Sequence, residues 1–331
     1  MSENTKALPA TPSRFPRFNL GSGIGLLVLY IIMVIVISQL SPYFLGSRNL
    51  VNLPVSVAVI GMIAVFSTLL MIGGGLDLSV GSNTALVGVV VASLQTQFGI
   101  WGAVAFGLLV GLLIGLINGL LVTRVGINPL ITTLGMLSVV RGLAFVFSGG
   151  LSILIMDESF GQLGRGKIAG VNVIVLAALI MFIIAVIILH FTTYGRAMYA
   201  IGGNSRASHL AALPVKRYQL IAYVLSGLGA AIAGVFLTSR LGAAAPQAST
   251  SLELKVVAAI ILGGTSLTGG KGNLFGTFLG VLILGTLDNA MTLLSVSAYY
   301  QQIALGILLL LAVGLDQLRV GNLWRLIRSK Y

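Results

Sequence analysis

Hydrophobic residues in this chain run in long blocks rather than alternating with polar ones, and short polar or glycine-rich breaks divide the blocks. The first block covers about Gly21 to Leu40; others fall near 53–73, 79–98, 101–123, 129–148, 171–191, 218–239, 255–268, 273–295 and 300–318. A helix needs about 20 mostly apolar residues to cross a hydrocarbon layer roughly 30 Å thick. The pattern therefore predicts an all-α polytopic membrane helix bundle of about ten transmembrane segments, with glycine-broken half-helices around Gly73 and Gly264. The first block is too long for a signal-peptide core and has no small-residue cleavage site behind it, so it reads as an uncleaved span.

Composition agrees. Hydrophobic residues make up 57% of the 331 and charged residues only 8%, with a mean hydropathy of +1.07. Soluble domains carry about a quarter charged residues, so a water-soluble fold is excluded. The 43 glycines would weaken soluble helices but let membrane helices approach closely. With no cysteine, disulfides and thiolate chemistry are excluded.

The formal charge of +12 has a direction. With ten crossings and an inner N-terminus, the cytoplasmic segments hold Lys6, Arg14, Arg17, Arg124, Arg196, Arg206, Lys216, Arg217, Lys271, Arg319, Arg325, Arg328 and Lys330. The outer segments hold Arg48, Arg165, Lys167, Arg240 and Lys255, which gives 13 inside against 5 outside and leaves Arg141 within a span. That is the bias of the positive-inside rule, and it needs no nucleic-acid partner. The domain reading is a cytoplasmic tail at 1–20, a transmembrane region at 21–318 containing a cytoplasmic loop at 192–217, and a cytoplasmic tail at 319–331.

Two internal similarities stand out. Phe106-Gly107, Gly111 and Asn118 of the fourth span match Phe275-Gly276, Gly280 and Asn289 of the ninth, as an inverted repeat would. With glycine so abundant, coincidence is the rival explanation. Gly73-Gly74 and Gly263-Gly264 also match, but across six spans, which the same symmetry cannot relate.

Catalytic chemistry is absent from the sequence pattern. The run Thr265 to Lys271 fails as a phosphate-binding loop, because Thr265 stands at the first glycine position and Gly272 replaces the metal-binding hydroxyl. His190 and His209 have no neighbouring carboxylate or cysteine, so no metal site is expected. Polar groups near or inside spans are the informative ones, since an intramembrane charge normally has a partner or faces water. Arg141 either binds backbone carbonyls at a helix break or lines a pathway. Asp77, with Ser79, either caps the helix that follows the Gly73-Gly74-Gly75 turn or contacts a solute. Asn118, Asp288 and Asn289 either join helices or hydrogen-bond a hydroxylated solute.

Residues 192–217 form the one long polar segment between spans. They read as a short amphipathic helix, a turn at Gly202-Gly203-Asn204 and a second helix from Ser205 stopped by Pro214. Such a surface suits docking of a soluble partner; a solvated linker is the plainer alternative.

On these motifs the chain resembles the permease subunits of ribose-type ABC sugar importers over nearly its whole length. The resemblance rests on Gly74 and Leu76-Asp77-Leu78-Ser79-Val80-Gly81, on Thr133-Leu134-Gly135 with Arg141-Gly142, and on Ala200-Ile201-Gly202-Gly203-Asn204. It continues through Ser226-Gly227, Arg240-Leu241-Gly242, Pro246, Glu253-Leu254 and Gly263-Gly264-Thr265-Ser266-Leu267. It implies a homodimer of permeases in the bacterial inner membrane, a cytoplasmic ATPase that binds ATP and Mg, and a periplasmic solute-binding protein. No cofactor is expected in this chain. The ATPase-coupling residues it implies are Gly195, Arg196, Ala200, Gly202, Gly203, Asn204, Ala207 and Ser208. The family pattern is not followed at Leu213-Pro214, Ala248 and Asn289-Ala290-Met291, which leaves docking geometry and solute open. Alternatives are an ion-coupled secondary carrier, or an ABC permease for a nucleoside or a furanose-type signalling molecule.

Overall fold

A computed structural model describes residues 20–319, so nearly all of both predicted tails lies outside the described residues. Helices follow one another as α1 (Leu20–Leu40), α2 (Ser47–Ile72), α3 (Val80–Leu120), α4 (Pro129–Ser148), α5 (Gly161–Arg165) and α6 (Val173–Val186). Then come α7 (Thr193–Gly203), α8 (Ser205–Leu210), α9 (Val215–Leu241), α10 (Leu252–Leu262), α11 (Leu274–Leu293) and α12 (Ala298–Arg319). One wide turn each extends α3 through Leu121–Val125 and α6 through Ile187–Phe191. Sheet among the described residues is limited to two pairs of two-residue strands, Ile153–Leu154 with Ala243–Ala244 and Lys167–Ile168 with Val171–Asn172.

Helix boundaries have local causes. Asn128 accepts the Leu130 N–H at 2.9 Å, Pro129 occupies the first helical position, and Gly149 closes α4 at φ +60°. Within α3, Gly99 takes φ +66° and ψ +165°, and the chain doubles back there. Phe98 packs on Phe106, and Gly107 lies against Val91, so the two limbs form a hairpin. This is the break the hydrophobic blocks place between residues 98 and 101.

Among the described residues seven helical stretches, the one across Gly99 included, are long and apolar enough to cross a membrane. Dividing the longest at Gly99, and adding α12 and the 11-residue α10, gives ten segments in the predicted order. The half-helix expected at Gly264 is α10. Gly73, by contrast, ends a full 26-residue helix. The Gly73-Gly74 and Gly263-Gly264 similarity is a shared helix stop: each first glycine is right-handed and each second is left-handed, at φ +79° and +87°.

The helix α2 forms the hub. In its most apolar stretch 89% of the residues are buried, against 11% for α1. An element apolar all round belongs in the centre of a bundle. Around it, helices meet where side chains are missing. A Cβ on Gly227 of α9 would stand 2.6 Å from the Gly111 carbonyl, and one on Gly115 would stand 2.5 Å from the Tyr223 carbonyl. Gly276 and Gly280 likewise press on the Gly263 and Ala259 carbonyls at the end of α10. The glycines shared by the fourth and ninth spans thus each serve close packing, in part against the span that precedes them.

Loop contacts fix which ends lie together. The turn after α2, helix α7 and the 263–273 loop meet at one end, where the Gly270 N–H donates to the Ile72 carbonyl at 2.8 Å. The 153–155 strand meets Ala243–Ala244 at the other, where the Gly164 N–H donates to Ser239. A ten-segment alternation requires this parity. Lys255, assigned from sequence to an outer segment, stands half-buried in the first turn of α10, where it pairs with Asp288 of α11.

Gly227→Ala should destabilise the chain by about 1–3 kcal/mol through overpacking, whereas Gly306→Ala, with open space around it, should be neutral or slightly stabilising. Thermal unfolding of both variants in detergent checks this; equal melting temperatures would contradict the close α3–α9 approach.

Candidate functional site

The turn Gly73–Ser79 enters the bundle, so its backbone needs partners there. Gln219 donates to the Gly73 carbonyl at 3.2 Å, and the Tyr223 hydroxyl donates to the Leu76 carbonyl at 3.3 Å. Both partners come from α9. Asp77, only 5% exposed, is surrounded by neutral donors. Its Oδ1 accepts from the Ser79 N–H at 2.9 Å, the Ser79 hydroxyl at 2.6 Å and Asn118 Nδ2 at 3.4 Å. Its Oδ2 accepts from the Ser226 hydroxyl at 3.4 Å. Asn118 Nδ2 also donates to Ser79 Oγ at 2.8 Å, while its Oδ1 has no protein partner. Three residues singled out from sequence, Asp77, Ser79 and Asn118, therefore form one cluster. The Asp77–Ser79 bond stands just ahead of α3, in the local pattern expected of a capping aspartate, although Ser79 itself occupies the N-cap position.

A second polar cluster lies further along the first limb of α3. Arg141 Nη1 donates to the Pro246 carbonyl at 2.7 Å, and Nη2 to the Ser249 carbonyl at 3.4 Å. Ser249 in turn donates to the Gly81 carbonyl at 2.7 Å. The arginine thus holds the irregular segment that leads into α10. Of its two sequence readings, carbonyl binding at a helix break is the one seen. Glu253, 8% exposed, packs its carboxylate on Gly81, where any Cβ would overlap Oε2, and that oxygen has no protein partner. Among the described residues Lys255–Asp288 is the one ion pair, so Glu253 and Arg141 influence each other without direct contact. Sequence inspection noticed Glu253 only inside a motif; its isolation by tertiary packing has no local signal.

Asn289 lies apart from both clusters. It exchanges paired amide hydrogen bonds with Asn49 of α2, at 3.0 and 2.8 Å, and so joins α2 to α11. A polar cavity of about 350 Å³ opens beside it, walled by Asn52, Ser56, Arg240, Asp288 and Thr292.

The third region is the α7–α8 surface. Thr192 and Asn204 cap the two helices, and Tyr199, its hydroxyl donating to the Gly272 carbonyl at 2.8 Å, is pushed up to about 12 by burial. Gly195 and Gly202 face inward, each so close to a backbone carbonyl, of Leu189 and Ile72 respectively, that a Cβ would overlap it. Arg196, Ala200, Gly203, Asn204 and Ala207 face out. Ser208, expected among the surface residues, is buried, because the one-turn α8 folds that side onto the protein. The prominent feature is Leu210, 81% exposed at the end of α8, which the sequence did not single out.

Residues 49–313 match the family described as "branched-chain amino acid transport system / permease component". The chain belongs to this permease family. It is a multi-pass membrane protein. It is 43% identical to the ribose import permease protein RbsC of Bacillus subtilis (strain 168), over 90% of this chain and 92% of the relative. Identity is 41% to the L-arabinose ABC transporter permease protein AraH of Azospirillum brasilense, over 89% and 87%. It is 40% to RbsC of Escherichia coli (strain K12), over 88% and 92%. The resemblance to ribose-type ABC permeases is thus borne out. No solved structure gives a significant match.

Arg141→Ala should release the segment it holds, since hydrogen bonds from a charged donor contribute about 1.5–3 kcal/mol each. Hydrogen–deuterium exchange of residues 246–252 should rise by at least about tenfold, with α2 unchanged. Unaltered exchange at 246–252 would show that the arginine does not hold this segment.

Proposed function

We propose that this permease is the transmembrane subunit of an ATP-driven importer for a monosaccharide, a pentose or hexose of ribose type, in a bacterial inner membrane. The reading is carried by high identity over nearly full length to permeases named for ribose and arabinose. A periplasmic binding protein delivers the solute, two copies of the chain enclose the path, and a separate ATPase binds ATP and Mg and does the hydrolysis. This chain supplies no catalytic group.

The end carrying α7 and α8 is the cytoplasmic one in this reading. Arg124, Arg196, Arg206, Lys216, Arg217 and Lys271 lie toward it, in keeping with the positive-inside rule, and this reading assigns both termini to the same compartment. The outward residues Arg196, Ala200, Gly203, Asn204 and Ala207, with Leu210, form the surface that the ATPase grips. The inward Gly195 and Gly202 let α7 rest on the backbone, so force at the surface reaches the end of α2. In the pathway, Asp77, Ser79 and Asn118 shape the buried turn, and Arg141 positions the segment before α10.

An ion-coupled carrier is the second reading, and the buried Asp77 carboxylate is the observation that favours it. Uptake by the chain alone in proteoliposomes under a proton gradient would establish that reading. Uptake only with the ATPase and ATP supports the importer. Ligand identification on the partner binding protein separates a monosaccharide from a nucleoside or furanose-type signal.

Leu210→Asp should weaken ATPase association by at least about thirtyfold while the chain remains folded in the membrane, because an exposed apolar anchor is lost. Co-purification and ATPase stimulation measure this, and unchanged values would remove Leu210 from the interface. The chain is free of cysteine, so single cysteines report topology directly. Ala207→Cys should react with an impermeant maleimide from the cytoplasm, and Ser159→Cys from the periplasm; the reverse pattern would invert the orientation.

A further inference from the structure

At the α8 end of the bundle a groove of about 920 Å³ separates the wide turn after α3 from α8 and the start of α9. Arg124 stands on one wall; Arg206, His209, Lys216 and Arg217 stand on the other. All five side chains are exposed. Their charge is not balanced by the described protein. The chain has seven acidic residues, and Glu3 is outside the described residues. Asp77 and Glu253 are buried in the clusters above, and Asp157 and Glu158 follow the strand at the opposite end. Asp288 pairs with Lys255, and Asp316 accepts from Ser266 Oγ at 3.2 Å. No carboxylate lines the groove. Four permanent cations around one cavity call for an anion from outside.

The surroundings specify which kind. Arg124 ends a membrane-spanning stretch, and Lys216 and Arg217 begin another, so the groove lies at the boundary between lipid and water. Val122, Pro214 and Val215 line the groove itself, and Leu120 and Ile221, four positions from Arg124 and Arg217 toward the spans, are exposed apolar residues. Val125 adds an exposed apolar edge. A soluble phosphate would use the cations and leave this apolar strip unfilled. A phospholipid with an anionic headgroup uses both, its phosphate among the cations and its chains along the strip. We propose that this groove is a binding site for the phosphate headgroup of an anionic membrane phospholipid. The site shares α8 with the proposed ATPase surface, using Arg206 and His209 where that surface uses Asn204, Ala207 and Leu210, and it does not depend on which solute is carried.

The test uses the full chain in nanodiscs of phosphatidylcholine, with or without phosphatidylglycerol, and native mass spectrometry of the lipids retained. Wild type should retain phosphatidylglycerol selectively. The variant Lys216→Gln/Arg217→Gln should bind it about thirtyfold more weakly, given the contribution of each cation near a membrane surface. The charge-preserving Arg217→Lys should retain it, and a melting temperature equal to wild type shows that the glutamine variant is folded. Glycerol phosphate and inorganic phosphate should not displace the lipid; displacement by either would overturn the lipid in favour of a soluble phosphate. Equal retention by wild type and the glutamine variant would overturn the site. So would a variant that retains lipid normally but loses the ATPase, which would make the groove a protein-docking surface.

Discussion

The packing at the end of the central helix depends on one backbone group, the carbonyl of Ile72. It accepts the Gly270 N–H at 2.8 Å, and Gly202 of α7 rests on it so closely that a side chain could not be accommodated. Three elements from distant parts of the sequence converge there: the hub helix, the outward-facing α7, and the loop that leads from α10 to α11. Interiors packed this tightly transmit displacement rather than absorb it. Helix α7 is therefore packed directly on the base of α2, next to the Gly73–Ser79 turn, whose backbone is held by Gln219 and Tyr223.

Polar residues inside the bundle divide by what satisfies them. The Asn49–Asn289 pair is closed on itself and acts as a fastener between α2 and α11. Lys255 and Asp288 neutralise one another in similar fashion. Around the start of α3 the satisfaction is incomplete: Asn83 Oδ1, Asn118 Oδ1 and Glu253 Oε2 are buried acceptors without protein donors. Leaving such groups unmatched costs about 1–3 kcal/mol each, and these three come from both limbs of α3 and from α10.

Much of this was legible in the sequence, for identifiable reasons. Span positions follow from block lengths, and the Gly99 hairpin from the only short gap between two full-length blocks. The second short helix does start at Ser205 as read, but α7 runs through Gly202 and Gly203, where a turn was expected, and α8 ends at Leu210 rather than at Pro214, which stands at the start of α9. Arg141 was recognised as a charge needing partners, though not which carbonyls supply them. What escaped detection depends on packing between remote segments. Whether Ser208 points in and Leu210 out is set by how the short α8 leans on α9, which no local pattern around them reports. The two helix stops at Gly74 and Gly264 looked like a repeat because the same backbone problem has the same local solution.

The contact between Gly81 and Glu253 ties two positions 172 residues apart into one unit of change. Alanine at 81 requires the end of the Glu253 side chain to swing aside and the Ser249 carbonyl, 3.1 Å from the new methyl, to give slightly; a shorter acid at 253 removes the first of these demands. Relatives that differ here are expected to differ at both positions together.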